Sequence, residues 1–210
     1  MAAYVAAVGR VDATAPGTGM SIRGWDDRPE GRYGKFEITL AGADRYRITL
    51  TGPELTLNQG LYGNVAWGAT NTGVQSFSSP ADVARMRRIA MRYRPLKEQP
   101  PNSRVVGVER VDDHDAYVLQ GKIDSVTTQR SYFDVVTGLL RREITTTETL
   151  LVPLEEQVDY DDYRDVAGVK LPFKWTVTWL DGKDTVELKD VRPNVAVDAA
   201  RFAKPAAPAR

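Results

Sequence analysis

Apolar and polar residues alternate with a period of two along most of the chain. In residues 35–40 the apolar positions are Phe36, Ile38 and Leu40, and in 45–50 they are Tyr46, Ile48 and Leu50. Successive side chains of a strand point to opposite faces, so each segment has one face to bury. Between them, Gly42-Ala43-Asp44 closes a hairpin that sets Leu40 opposite Tyr46 and Ile38 opposite Ile48, with both apolar sets on one side. The longest run covers 169–180, where Val169, Leu171, Phe173, Trp175, Val177 and Trp179 alternate with positions that include Lys170, Lys174, Thr176 and Thr178. Asp181-Gly182 follows as a two-residue turn, which predicts Val177 opposite Val186 and Trp175 opposite Leu188. Further strands are predicted at 21–25, 54–59, 64–68, 104–111, 116–121, 127–134, 139–147 and 155–163, about eleven in all.

Helical spacing is clearest after Ser79. Ser79 suits an N-cap, Pro80 the first helical position and Asp82 the positive end of the helix dipole. Val83, Met86, Ile89, Ala90 and Tyr93 then share one stripe, and Pro95 ends the helix after Arg94. Met1 to Gly9 reads as an alanine-rich helix stopped by Gly9, and 13–19 as a loop of small residues. Residues 205–210 read as a flexible tail, which leaves 1–204 as a single domain. The expected fold is mainly β (α+β). Long alternating antiparallel strands suit a strongly curved sheet or an incomplete barrel, here with two or so helices.

Composition narrows the chemistry. The 210 residues carry 28 basic and 28 acidic side chains, one histidine and no cysteine. Without cysteine there is no disulfide, thiolate metal site, cysteine nucleophile or C-x-x-C-H haem attachment. His114 alone cannot build a multi-histidine metal cage, so no metal and no cofactor are expected. A balanced charge argues against nucleic acid, whose binders carry a basic excess. No apolar run reaches the length of a membrane-spanning helix. Met1 to Gly9 is short for the core of a secretion signal and has no basic flank, so the chain reads as a mature or excised piece.

Four features could carry chemistry, and each has a plain structural reading. Asp112-Asp113-His114-Asp115 is a conceivable surface metal site, but its position between two strands favours a hairpin turn. Glu155-Glu156 and Asp159, Asp161 and Asp162 offer paired carboxylates, yet alternation sends their side chains to opposite faces, as on a solvated strand edge. The helix carries Arg85, Arg87, Arg88, Arg92 and Arg94, with Lys97 just beyond. Arg85, Arg88 and Arg92 are candidates for an anionic partner, and the same arginines complement a helix C-terminus. Leu171, Phe173, Trp175, Val177 and Trp179 are either core or the wall of an apolar cleft, with Val83, Met86 and Ile89 beneath a helical lid. No P-loop, G-x-G-x-x-G, G-x-S-x-G or H-E-x-x-H motif is present, and no catalytic residue is assigned.

Three segments carry a resemblance. Tyr132-Phe133-Asp134-Val135-Val136-Thr137-Gly138-Leu139-Leu140-Arg141-Arg142 is the first, and the run from Tyr160 through Asp165-Val166-Ala167-Gly168 to Phe173 is the second. With Phe202-Ala203-Lys204-Pro205 they resemble the C-terminal domain of acidobacterial c-type cytochromes labelled as similar to the photosynthetic reaction-centre cytochrome subunit. That domain is similar to the outer-membrane lipoprotein carrier. The opening Tyr4-Val5-Ala6-Ala7-Val8-Gly9 extends the likeness to nearly the whole chain. The resemblance implies an incomplete, strongly curved β-barrel closed by helices over an apolar cavity, in the periplasm or cell envelope. Haem in such proteins sits in a separate upstream domain, so electron transfer does not carry over to this cysteine-free chain. Physically, 134–138 and 165–168 are turns, the first with Gly138 at a left-handed position. Two functions follow: a non-catalytic binding domain for an acyl chain, lipoprotein or similar ligand, or an assembly module with a filled core beside a cytochrome or other envelope protein. An enzyme is the reading least supported by the residue inventory.

Overall fold

The computed structural model describes residues 1–9, 17–28, 31–52, 56–70, 73–77 and 79–206. Residues 13–16 of the small-residue loop, 54–55 of an expected strand and 207–210 of the tail lie outside the described residues. Among the described residues the fold is mainly β, an antiparallel thirteen-stranded sheet that does not close, with two α-helices. The elements are α1 (Ala2–Val8), β1 (Thr18–Arg28), β2 (Gly31–Ala41), β3 (Arg45–Thr51), β4 (Thr56–Tyr62), β5 (Val65–Thr70), β6 (Gly73–Phe77) and α2 (Pro80–Met91). They continue with β7 (Arg104–Val111), β8 (His114–Lys122), β9 (Thr127–Asp134), β10 (Leu140–Thr147), β11 (Leu154–Val166), β12 (Val169–Trp179) and β13 (Gly182–Ala196), followed by a 3-10 turn at Ala199–Phe202. Each strand neighbours the next in sequence except β6 and β7, which are the two ends of the order, and β13 lies beside β1.

The thirteen strands exceed the expected number of about eleven chiefly because β6 was not legible: Gly73-Val-Gln-Ser-Phe77 is mostly exposed and has no apolar alternation. The chain forms two compact units, one of Met1–Val11 with Pro95–Val186 and one of Asp12–Arg94 with Glu187–Arg210.

In the second unit the β2–β3 register is the expected one, with Leu40 opposite Tyr46 and Ile38 opposite Ile48. Helix α2 starts at the expected cap, where the Ser79 hydroxyl accepts from the Asp82 N–H at 3.1 Å. Its stripe is committed to its own unit: Val83, Met86 and Ala90 are buried, and Ile89 is half-buried. The helix ends at Met91 rather than Arg94, because the chain tightens into i→i−3 bonds from the N–H groups of Arg92, Tyr93 and Arg94. That turn packs the Tyr93 ring 5.9 Å from Phe36 and 6.3 Å from Tyr46. Burial pushes the Tyr46 phenol well above its ordinary pKa, with Tyr93 adding to the effect and Arg92 opposing it. The opposite face has a core of its own. Gly60 pairs with Trp67, and a Cβ on Gly60 would lie 2.4 Å from the indole. The indole N–H donates to the Phe202 carbonyl at 2.9 Å, which ties the 3-10 turn to the sheet.

In the first unit β7 to β12 form a meander whose register defines two transverse rows on one face. Val105, Leu119, Ser131, Glu143, Val158 and Val177 are successive partners across six strands. A parallel row holds Val108, Tyr117 and Phe133 on β7 to β9, with Tyr160 opposite Trp175 on β11 and β12. Leu171, Phe173, Trp175 and Val177 are buried, Trp175 at 1 % exposure. Trp179 departs from that stripe and is 37 % exposed. The β12–β13 turn consists of Leu180 and Asp181 instead of Asp181-Gly182. Across it the Thr176 and Thr185 hydroxyls lie 3.3 Å apart.

Candidate ligand-binding cleft

The buried face of the first unit changes character from one side to the other. At β12 it is closed, whereas at β7 and β8 Val105 and Tyr117 are largely exposed. A cavity of about 400 Å³ opens there between α1 and strands β7 to β9. Its lining includes Tyr4, Val105, Tyr117, Leu119, Phe133 and Val136. That volume and an apolar wall with few polar groups are the usual features of a small-ligand pocket.

Three local devices hold the walls. The Tyr4 ring packs 4.8 Å from Phe133, and its hydroxyl both donates to the Pro95 carbonyl at 3.3 Å and accepts from the Lys97 N–H at 3.0 Å. Burial pushes the Tyr4 phenol far above its ordinary pKa, against the opposing effect of the Lys97 N–H, so the hydroxyl keeps its proton to donate. Second, Gly138 takes φ 72° as expected, and a Cβ there would lie 3.1 Å from the Ala3 carbonyl, so a bare backbone lets α1 rest on the turn. Third, the buried Asp134 carboxylate organises that turn. One oxygen accepts from the N–H groups of Val136 (3.0 Å) and Thr137 (2.7 Å). The other faces Arg141 Nε at 3.1 Å and His114 Nδ1 at 3.0 Å. Burial alone would raise the Asp134 pKa; the Thr137 hydrogen bonds and Arg141 more than offset it, and the carboxyl titrates below its ordinary value.

The acidic turn is thereby accounted for. Val111 pairs with His114, which leaves Asp112 and Asp113 as a two-residue hairpin turn, Asp112 at φ 50°. Arg110 reaches Asp113 and Arg142 reaches Asp112, each at 3.8 Å. Among the described residues no three His, Cys, Asp or Glu side chains converge on one point. A polar cavity of about 380 Å³ lies beside this turn, lined by Asp112, His114, Arg141, Asp159 and Lys174 among others. The acidic strand β11 is not an edge, since it pairs with both β10 and β12. Its carboxylates are engaged instead: Asp159 with Arg142 and Gln157, Asp162 with Arg164 at 2.5 Å, and Glu155 with the Thr146 hydroxyl at 3.2 Å.

Sequence reasoning missed a polar strip inside the apolar face. The Glu143 carboxylate accepts from Tyr160 Oη at 2.8 Å and from Gln129 Nε2 at 3.1 Å, and Gln129 also reaches Ser131 Oγ at 3.0 Å. Lys97, counted above with the arginine cluster, is buried, with Nζ 5.3 Å from the Tyr160 ring centroid. The only sequence signal was the break in apolar alternation at Ser131 and Glu143. Of the arginines, Arg85 and Arg88 are exposed and Arg92 is half-buried. Arg87 bonds Asn64 Oδ1 at 3.0 Å and Arg94 bonds the Gly42 carbonyl, so both serve the second unit's own loops. Among the described residues no helix is long and apolar enough to cross a membrane.

The chain matches no family model and no curated protein. Among solved structures it is similar to a LolA superfamily protein from Nitrosomonas europaea, at 14 % identity and TM-score 0.62, covering 91 % of this chain and 93 % of that one. A DUF1329 family protein from Desulfovibrio piger gives 16 % identity and TM-score 0.58, covering 96 % of each chain. An outer membrane lipoprotein-sorting protein domain from Vibrio parahaemolyticus gives 11 % identity and TM-score 0.52, covering 89 % of each. At such identities the likeness is one of fold, and that fold is the LolA-like one.

Proposed function

We propose that the chain is a non-catalytic binding domain of the bacterial cell envelope or periplasm, which receives an acyl chain or the lipid part of a lipoprotein in the cleft between α1 and β7–β9. The observation that carries this reading is the apolar cavity of about 400 Å³, open at Val105 and Tyr117 and backed by Leu119 and Phe133. The fold shared with a lipoprotein-sorting domain supports the ligand class. In this reading the stripe Leu171, Phe173, Trp175 and Val177 continues the wall as its packed end, and the ligand adds about 0.8 kcal/mol for each methylene it buries. The exposed Arg85 and Arg88, with the half-buried Arg92 beside them, are the second unit's candidates for an anionic partner.

The burial of Trp175 favours one second reading: an assembly module with a filled core, docked on a cytochrome or another envelope electron-transfer protein, its cleft empty. Calorimetric titration with a long-chain fatty acid separates the two. The binding domain takes one equivalent, and Tyr117→Asp, at an exposed cleft position, weakens it at least about tenfold. Absence of binding by the wild-type chain leaves the assembly module.

A further inference from the structure

One end of the first unit exposes large aliphatic side chains on three neighbouring turns. In the β10–β11 turn Leu150 and Leu151 are 104 % and 92 % exposed, and Val152 and Leu154 are exposed beside them. The β12–β13 turn adds Leu180, with Trp179 at its base, and the β8–β9 turn adds Val126. Strand register places the three together. Thr147 pairs with both Leu154 and Thr127, the Glu148 N–H donates to the Val126 carbonyl at 2.9 Å, and Gln157 pairs with Thr178.

Two of the turns are held rigid by their own side chains. The Thr149 hydroxyl donates to the Val152 carbonyl at 2.7 Å and accepts from the N–H groups of Leu151 and Val152, each at 3.3 Å. The Asp124 carboxylate accepts from the N–H groups of Val126 (2.9 Å) and Thr127 (2.8 Å). The leucines are therefore presented outward in a fixed shape and do not fold back over the sheet. A contiguous exposed apolar patch of this kind marks an interaction site.

We propose that this end inserts into the surface of a zwitterionic phospholipid bilayer. Protruding, almost fully exposed leucines from separate turns suit a fluid apolar phase, which needs no matching pocket. Trp179, partly exposed at the base of the β12–β13 turn, is of the residue type that favours the membrane interface. Charge selects the lipid. Exposed Asp124, Glu148, Glu155 and Asp181 surround the tips against Lys122 and Lys183, an acidic collar that complements the outer ammonium groups of phosphatidylcholine and phosphatidylethanolamine and is repelled by anionic headgroups.

The test is flotation of the intact chain with vesicles of phosphatidylcholine and phosphatidylethanolamine. The wild-type chain floats, and addition of phosphatidylglycerol lowers the bound fraction. Leu150→Glu with Leu151→Glu cuts partitioning at least about tenfold, while Val65→Glu, exposed in the second unit, leaves it unchanged. Brominated lipids quench emission that Trp179→Phe removes. A wild-type chain that stays off the vesicles overturns the proposal, and so does a double variant that floats equally well. Binding confined to anionic vesicles overturns it too, and would move the contact to the exposed arginines. Capture of a protein partner through these leucines without vesicle binding would make the patch a protein interface instead. The double variant keeps its fatty-acid affinity, so this proposal and the cleft can fail separately.

Discussion

Asp134 is the residue through which sequence, fold and cleft are most directly joined, and its replacement makes a quantitative test. Alanine there removes acceptors for two turn N–H groups and the partner of Arg141 and His114. Hydrogen bonds to a charged group contribute about 1.5–3 kcal/mol each. Arg141 and His114 are partly exposed and can rehydrate, so most of the loss comes from the two backbone groups, about 3–6 kcal/mol in total. For a chain of this size that lowers Tm by about 6–24 °C. Asp134→Asn keeps an acceptor for the backbone and loses the charge, and should cost about 1–2 kcal/mol.

The sign with pH follows from the depressed folded-state pKa of Asp134. Its contribution is complete above the unfolded-state value of about 3.9 and is lost as pH falls through the folded value. Thermal unfolding of wild type and Asp134→Asn at pH 7 and at pH 3 is the assay. The gap should narrow at the lower pH. Equal stability at pH 7, or a gap that does not change with pH, would refute the claim that an ionised Asp134 holds the 134–138 turn. Because Val135, Val136 and Gly138 line the cleft, both variants should also weaken ligand binding.

Gly138→Ala forces a side chain into a positive-φ position against the Ala3 carbonyl and should cost about 1–2 kcal/mol by denaturant unfolding, with weaker ligand binding. Gly60→Ala drives a Cβ into the Trp67 indole and should cost about 1–3 kcal/mol, with a changed tryptophan emission spectrum and the β7–β12 unit's ligand affinity retained. Ser79→Ala removes the α2 N-cap bond and should cost about 1 kcal/mol by the same unfolding measurement, without touching the cleft.

Local pattern made much of the fold readable. The β2–β3 hairpin was legible because loop length and apolar parity both specified Leu40 against Tyr46, and β12 because its apolar alternation ran unbroken from Val169 to Trp179. The Ser79 cap and Gly138 had explicit local signatures. What escaped depends on distant partners. Phe202 is core only because Trp67 lies against Gly60, and Lys97 is buried only because Tyr4 and Tyr160 receive it. The sequence left the stripe at Trp175 open between packed core and cleft wall, because alternation alone does not tell a filled apolar face from an open one. The structure packs that end and leaves the opening at β7–β9, where Val105 and Tyr117 look like any other strand residues until the register is known.

The central claim is where an apolar ligand sits, and paramagnetic broadening of methyl resonances by a spin-labelled fatty acid measures it directly. The cleft predicts selective loss of signal from Val105, Leu119, Val135 and Val136, with Val83 and Met86 on the buried face of α2 unaffected. Broadening confined to Val83 and Met86, or to Leu150 and Leu151 at the turns, or none at saturating ligand, would contradict it.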